Sequence, residues 1–351
     1  MIGFVVRRLL YGLLVLWGVI TVVFLLFHVL PGDPARLTMG QRADVATLEA
    51  IRKELGLDQP LYMQYIYYFN DVLPLSIHES TPENQEKYNY HPLIRWGKHV
   101  IVWKIPYLRY SYQTRRPVTE ILADAFPATF VLAVAAMLLA TVLGVLLGII
   151  SAVRKLTWID HSLVVAAVIG ISVPSFFSGI IIAWLFGYKL ADWTGLNMFG
   201  SLYEYDPYQG PVLMLKNLIL PALTLGIRPL ALITQLMRGS MIEVLSQDYI
   251  RTAYAKGLSS TRVVLKHAFK NALNPVVTTV SEWFAALLAG AFFVEYIFDW
   301  KGLGKVTVDA LNTSDFPVVM GAVLFVSAVF ILTNIAVDIV YGMLDPRVRI
   351  Q

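Results

Sequence analysis

The chain has 351 residues, of which 57% are hydrophobic and 15% are charged. This composition is too apolar for a soluble globular domain and indicates a polytopic membrane protein. The absence of cysteine excludes a disulfide framework and thiolate metal sites. The net charge of +4 reflects the sidedness of the lysines and arginines rather than nucleic-acid binding.

Six apolar runs are long enough to cross a hydrocarbon core of roughly 30 Å as helices. Each is expected to be helical, because lipid offers no partner for backbone N–H and C=O groups. The first run is not expected to be a cleavable signal, because it is about 20 residues long and no small-x-small site follows it. The runs lie near Leu9–Leu30, Phe126–Val153, Leu163–Tyr188, Val212–Met237, Val276–Val294 and Val318–Tyr341.

The positions of lysine and arginine predict that both ends of the chain lie inside. The two short outer loops would then hold four lysines against seven acids. The long outer segment Pro31–Ala125 holds eleven basic residues, but loops of that length translocate largely regardless of charge. The inner side would carry Arg7, Arg8, Arg154, Lys155, Arg238, Arg251, Lys256, Arg262, Lys266, Lys270, Arg347 and Arg349.

The outer segment is long enough to fold in part. Helical spacing of apolar residues predicts a helix over Asp44–Leu55, and a second, aromatic-rich helix over Leu61–Leu73 resting on the membrane interface. Ser76–Tyr90 is polar and turn-rich. Val100–Tyr112 fits either a short strand pair or an interfacial segment, and the pattern does not separate the two.

Small residues and prolines punctuate the spans. Gly144 and Gly148 form a G-x-x-x-G pattern that permits close helix approach. Pro174, Pro221 and Pro229 are expected to bend their helices.

Besides Lys216, which lies near an outer end and is one of the four outer lysines, three charged residues fall inside the expected spans. Asp338 lies near the inner end of the last span and can reach the interface. Arg228 and Glu282 lie at similar depths, about 15 and 10 Å from the inner ends of their helices. Charges at that depth need a partner or water. They are therefore candidates to line the inner half of a translocation pathway, with a structural ion pair as the alternative.

One long polar segment, Ser240–Pro275, interrupts the apolar C-terminal half. Its pattern predicts two amphipathic helices broken at Gly257. Either an interfacial helix pair on anionic lipid or a docking element for a cytosolic partner fits this pattern. The predicted faces are Ile242, Leu245, Tyr249 and Ala253 in the first helix, Leu265, Ala268, Phe269 and Ala272 in the second, and the basic row Arg262, Lys266 and Lys270.

The run from Arg251 to Ser259, followed by Asn271-Ala272-Leu273 and Pro275, resembles the EAA loop of ABC-importer permeases. It is most similar to the B-type subunit of the dipeptide/oligopeptide/nickel branch. Ala253 and Gly257 match the general pattern, whereas Arg251 and Thr252 replace its Glu and first Ala, and Lys270 replaces the usual Pro.

The resemblance continues in order along nearly the whole chain. It departs near Pro74–Pro106, which looks like an insertion of about thirty residues in the outer segment. Further similar stretches are Arg7-Arg8-Leu9-Leu10, Pro31-Gly32-Asp33-Pro34, Leu55–Leu61, Arg116-Pro117-Val118, Leu220–Leu225, Glu295–Phe298, Gly302-Leu303-Gly304 and Leu344–Arg347.

This resemblance implies an all-α membrane protein with the six-helix fold of type I importer permeases. It implies a first helix in residues 1–30, an extracytoplasmic segment in 31–125, a five-helix core in 126–345 containing the coupling loop 240–275, and a cytoplasmic tail in 346–351.

The implied partners are a second homologous permease, two cytosolic ABC ATPases and an extracytoplasmic solute-binding protein. The implied substrate is a di- or oligopeptide, with nickel, glutathione or another small solute as alternatives. The implied ATPase-coupling residues are Arg251, Ala253, Lys256, Gly257, Leu258 and Ser259.

The sequence lacks other recognisable chemistry. Gly302–Thr307 fails the phosphate-loop pattern, because Asp299 and Val306 stand where glycine and serine or threonine are required. His28, His161 and His267 lack metal-site spacing. We therefore expect no ATPase site, cofactor or metal in this chain. A secondary transporter is the competing class, and it would usually show more spans and an inverted repeat.

Overall fold

A computed structural model describes residues 2–29 and 58–344. The described chain is mostly helical and divides into two compact units. One unit contains residues up to 125 together with 306–328, and the other contains 126–305 together with the residues from 329 onward. The helix expected over Asp44–Leu55 and the tail 346–351 lie outside the described residues.

The first unit begins with helix α1 (Ile2–Val29) and helix α2 (Leu61–Val72). The second helix starts directly after Pro60, whose fixed φ suits a position just before a helix. The aromatic rings of Tyr65 and Tyr68 pack on Phe24 of α1, with centroids 5.2 and 5.7 Å apart. The predicted second helix is therefore confirmed.

A three-stranded antiparallel sheet follows α2, in the order β1-β3-β2. Its strands are β1 (Leu75–Glu79), β2 (His91–Trp96) and β3 (His99–Trp103), and helix α3 (Pro82–Tyr88) lies between the first two. Gly97, at φ +59°, makes the tight β2–β3 turn. This sheet corrects the all-α expectation. The polar, turn-rich stretch Ser76–Tyr90 contains most of β1 and all of α3, and the strand interpretation holds for the first residues of Val100–Tyr112.

The second unit holds most of the apolar helices and a small hairpin. The helices are α4 (Val118–Val153, which starts in the first unit), α5 (Trp158–Ser172), α6 (Ser175–Trp184), α7 (Ala191–Thr194), α8 (Ile219–Leu245), α9 (Asp248–Ala255), α10 (Ser260–Arg262), α11 (Phe269–Ala272), α12 (Asn274–Gly290), α13 (Phe292–Ile297), and the end of α15 (Phe316–Leu344). The strands β4 (Tyr203–Asp206) and β5 (Gly210–Leu213) form the hairpin, and α14 (Leu303–Asn312) lies mainly in the first unit.

Four of the described helices are long and apolar enough to cross a membrane, and the number rises to six if two bent pairs each count as one span. The first pair, Trp158–Ser172 and Ser175–Lys189, turns by 109° next to Pro174. The second pair, Ser260–Ala272 and Asn274–Ala289, turns by 53°. Pro174 thus breaks its helix, as expected of a proline that cannot donate to the helical ladder, whereas α8 continues past Pro229.

The G-x-x-x-G pattern of α4 marks a close contact with α8. A Cβ added at Gly148 would lie 2.6 Å from the Cβ of Met237, and one at Gly144 would lie 2.9 Å from Cγ2 of Ile233. The two helices pack at a distance that only glycine permits, which confirms the interpretation of this pattern.

The buried side chain of Glu295 explains why glycines stand in the Gly302-Leu303-Gly304 stretch. Its fully buried carboxylate accepts hydrogen bonds from the amides of Gly304 (2.7 Å) and Lys305 (3.2 Å) and from the Thr129 hydroxyl (2.7 Å). A Cβ at Gly302 would collide with this carboxylate. The segment is therefore the N-terminus of α14, and its backbone amides at Gly304 and Lys305 are capped by the carboxylate of Glu295.

Candidate functional site

The turn between α9 and α10 has the geometry of a Schellman helix end. The amide of Leu258 donates to the carbonyl of Ala253 (3.4 Å), and the amide of Gly257 donates to the carbonyl of Tyr254 (2.9 Å). Gly257 adopts φ +76°, the left-handed conformation that this helix end requires. A Cβ at Gly257 would meet nothing within 4 Å. Glycine is thus needed here for its backbone conformation and not for close approach within the chain.

The six predicted coupling residues divide into an inner and an outer group. Ala253 is buried and Leu258 is half-buried, and both pack with the main apolar core of the unit. Ala253 and Leu258 occupy the two positions whose side chains usually make the hydrophobic contact of a Schellman end. The other four are exposed and available to a partner: Arg251, Lys256, Gly257 and Ser259.

The second half of the loop departs from the regular helix that was predicted. A π-helical stretch, Val263–Ala268, follows α10 and shifts the phase of the side chains. Val263 and Val264 are consequently buried, whereas Leu265 is 57% exposed, so its assignment to the apolar face was wrong. The basic row is exposed as expected: Arg262, Lys266 and Lys270.

A side-chain hydrogen bond holds the two halves of the loop together. The Asn271 amide group donates to the Tyr249 hydroxyl at 2.7 Å. Ser259 occupies the N-cap position of α10 but makes no side-chain capping bond. A hydroxyl cap therefore does not fix the start of α10, and side-chain packing together with the Tyr249–Asn271 bond organises the loop.

An ion pair that the sequence analysis did not single out lies at the ends of α5 and α8. Arg238 donates from Nε and Nη2 to the two carboxylate oxygens of Asp160, at 2.6 and 2.8 Å. Ser151 of α4 and the amide of Leu156 also donate to this carboxylate, which is only 2% exposed as a residue. Three helices are thus joined at one point, seven residues before α8 ends at Leu245. In the sequence, the signals for this pair were an aspartate near the start of one apolar run and an arginine just after the end of another.

The structure places Arg228 on α8 and Glu282 on α12, which contact each other. The guanidinium of Arg228 lies 5.9 Å from the ring centroid of Trp283, whereas no ion pair within 4.0 Å joins Arg228 to Glu282. Both side chains are exposed in the isolated chain. The two helices are neighbours, and the Arg228 guanidinium lies near the ring of Trp283, the residue next to Glu282, without an ion pair to Glu282.

Among the described residues, no cluster of three or more histidine, aspartate or glutamate side chains has the arrangement of a metal site.

Comparison with known protein families gives two matches, which leave residues 87–143 between them. Residues 144–350 match the family described as binding-protein-dependent transport system inner membrane component, and residues 1–86 match the family described as binding-protein-dependent transport system membrane component, N-terminal. The chain belongs to this family. It is accordingly a multi-pass inner-membrane permease of the ABC importer type, and a transport subunit.

Several characterised members of the family are similar over their full length. The di/tripeptide transport system permease protein DppB of Pseudomonas aeruginosa is 37% identical, with all of both chains covered. The probable D,D-dipeptide transport system permease protein DdpB of Escherichia coli K12 is 39% identical over 98% of this chain and 97% of that protein. The glutathione transport system permease protein GsiC of Escherichia coli is 37% identical over 99% of each.

Proposed function

We propose that this permease imports di- or oligopeptides as one half of a heteromeric translocation pathway driven by two cytosolic ABC ATPases. Full-length similarity to permeases named for di/tripeptide and D,D-dipeptide transport is the observation that carries the substrate class. A second homologous permease would complete the pathway, and an extracytoplasmic solute-binding protein would deliver the peptide.

The proposed topology has six spans with both ends inside. It counts α5 and α6 as one bent span and α12 alone as another, and the basic residues of the loop between α8 and α12 support its inner position. The proposed domains are a first span in 1–30, an extracytoplasmic segment in 31–125 with an insertion near 74–106, a core in 126–345 and a tail in 346–351.

The segment 240–275 is proposed as the coupling loop that docks on an ATPase. Its exposed residues Arg251, Lys256, Gly257 and Ser259 would contact the ATPase, while Ala253 and Leu258 anchor the loop to the transmembrane core. Because Ala253 is packed against the helices of the core, movement of the loop would be transmitted to them.

Arg228 and Glu282 are proposed to line the inner half of the peptide route. Both are exposed in the isolated chain although they lie in apolar helices, and they are not paired with each other. A charge in this position is stable only when water, a partner subunit or substrate solvates it. A zwitterionic peptide carries both a carboxylate and an ammonium group that would suit such residues.

The experiment is reconstitution of the transporter in liposomes with ATP inside and the solute-binding protein outside. Labelled di- and tripeptides should accumulate, and unlabelled peptides should compete for uptake. Glutathione is the second candidate, because a glutathione permease is equally similar in identity and coverage. Uptake of glutathione with no uptake of peptides would reject the peptide assignment, while no uptake of any solute despite peptide-stimulated ATP hydrolysis would reject import.

A further inference from the structure

The three-stranded sheet of the first unit has two faces of different character. Antiparallel partners lie on the same face of a sheet. The register places Val102 opposite Ser76 and Val100 opposite His78, on a face that is buried against Tyr88 and Tyr90. The other face, here called the apolar sheet face, carries the polar Glu79, His91 and His99 at its two ends, and between and beside them the apolar residues Leu75, Ile77, Ile94, Trp96, Ile101 and Trp103.

The apolar sheet face is open although its opposite side forms a packed core. Trp96 is 84% exposed and Ile94 is 61% exposed. Large aromatic and aliphatic side chains grouped on one surface mark a site of protein or membrane contact. The sheet is therefore built to present this face to something outside the described chain.

Hydrogen bonds through α2 tie the sheet to the end of the candidate span of α1, the level at which α1 would leave the membrane. The candidate span of α1 is Val6–Leu26, and Tyr65 of α2 bonds to Thr21 (2.8 Å between hydroxyl oxygens) near its end. The side chain of Asn70 then makes two hydrogen bonds to the backbone of Ile77, at 2.9 and 3.0 Å. Strand β1 is thus tied directly to a helix that packs on the last turns of a membrane span.

Distances within the sheet keep the whole face close to that level. Strand β2 lies two strand spacings from β1, about 10 Å away. The polar interface on each side of a bilayer is roughly 5 to 8 Å thick. A sheet about 10 Å wide reaches lipid with its whole face when it lies along the membrane surface. Tyr62 and Ile66 of α2 are further exposed apolar side chains of this unit.

The charge of the β2–β3 hairpin favours lipid over a protein as the partner of the apolar sheet face. The β2–β3 hairpin, His91–Trp103, contains Arg95 and Lys98 and no acid. Both are exposed; Lys98 lies in the turn beside Trp96, whereas Arg95 pairs with Val100 and lies on the other face of the sheet. Tryptophan next to a lysine is typical of membrane-interface anchors, where the rings lie at headgroup level and the cation contacts phosphate.

We propose that the apolar sheet face docks on the bilayer surface, so that the inserted segment forms an interfacial anchor beside α1. The proposal requires only that α1 spans the membrane, and it is independent of the substrate and of the coupling loop.

The test uses the absence of cysteine in this chain. The full chain carrying Ile94→Cys is spin-labelled and reconstituted in nanodiscs of phosphatidylethanolamine and phosphatidylglycerol. Collision rates with oxygen, which partitions into lipid, and with a water-soluble nickel chelate are then measured. Glu86→Cys on the exposed surface of α3 is the matched control, and Ile77→Cys is a second probe if the first variant folds poorly.

Labels at residues 94 and 77 are expected to collide several-fold more with oxygen relative to the nickel chelate than the label at residue 86. Equal access of the nickel chelate to all three positions would overturn the proposal. Access at residues 94 and 77 that is lost only after the solute-binding protein is added would also overturn it, and would assign the face to that protein.

Discussion

At the scale of single residues, Gly257 shows how a motif position follows from backbone geometry. Its φ of +76° terminates α9 and turns the chain into the second half of the loop, while the space around it is open. Asparagine tolerates this left-handed conformation, whereas a β-branched residue does not. Comparing an asparagine and a valine substitution therefore distinguishes the need for the left-handed backbone conformation from the effect of adding a side chain.

Gly257→Val is expected to insert normally but to lose most of the coupling between ATP hydrolysis and uptake, because valine at this φ costs roughly 1–2 kcal/mol. Gly257→Asn is the matched control and should keep most of the wild-type ratio of solute imported to ATP hydrolysed. Both are measured in proteoliposomes. A wild-type ratio in the valine variant would show that the turn conformation does not matter for coupling.

Glu295 carries a second prediction at this scale. Burial raises the pKa of its carboxyl to about 7, and hydrogen bonds from Thr129, Lys305 and Gly304 oppose this effect in part. The pKa of Glu295 is higher in the folded protein than in the unfolded chain. The contribution of its protonated carboxyl to the free energy of unfolding is therefore complete below about pH 4.5 and is lost as pH rises through about 7.

The melting temperature of the purified subunit in detergent should therefore fall between pH 5 and pH 8, by the equivalent of up to about 3 kcal/mol. Glu295→Gln keeps an acceptor for the amides of α14 without the charge, so this variant should lose that part of the pH dependence. An unchanged pH profile in the glutamine variant would assign the dependence to other groups.

At the scale of elements, the contact between α4 and α8 depends on glycine. Gly148→Ala places a methyl group 2.6 Å from the Cβ of Met237 and 2.8 Å from the carbonyl of Thr234, so a helix must shift. We expect a loss of about 1–3 kcal/mol in unfolding free energy, as for other overpacked cores. Gly239→Ala, where a Cβ meets nothing within 4 Å, should be neutral or slightly stabilising. Equal effects of the two variants in detergent unfolding would contradict this view of the contact.

The Asp160–Arg238 pair is the other element-scale feature, because it joins α5 and α8. Asp160→Ala would leave the Arg238 guanidinium without its bidentate partner, and a loss of about 3 kcal/mol in unfolding free energy is expected. The exposed pair of Arg116 and Asp124 provides the control, since Asp124→Ala should change stability little. Similar melting temperatures for the two alanine variants would show that the buried pair is not a structural clamp.

At the scale of the whole molecule, the proposed pathway depends on charges that the isolated chain leaves exposed. Arg228→Glu and Glu282→Arg are each expected to reduce peptide uptake at least ten-fold while the subunit still assembles. Because no ion pair within 4.0 Å joins the two residues, the double reversal should not restore uptake. Recovery of uptake or of assembly in the double variant would instead identify a structural ion pair. Uptake assays and co-purification of the partner subunits give the two measurements.

The membrane class, the approximate positions of most apolar spans and the helix break at Gly257 follow from the sequence itself. The expected third span is instead broken at Pro174, and the expected fourth span begins within strand β5. The three predictable features depend on local properties: apolar length against bilayer thickness, helical period, and the conformational freedom of glycine. The match of the motifs to a permease family is likewise a property of the sequence, and the full-length similarity to family members confirms it.

Other features depend on contacts between distant parts of the chain. The pairing of Asp160 with Arg238 spans 78 positions, and the capping of α14 by Glu295 requires Thr129, which lies 166 positions away. The π-helical shift that exposes Leu265 and the three-stranded sheet beside α2 also follow from packing, which overrides the period of the local pattern. Local sequence therefore determined which segments are helical and apolar, whereas only the tertiary structure decided which charges are paired and which apolar faces stay open, because both depend on neighbours that the chain brings together on folding.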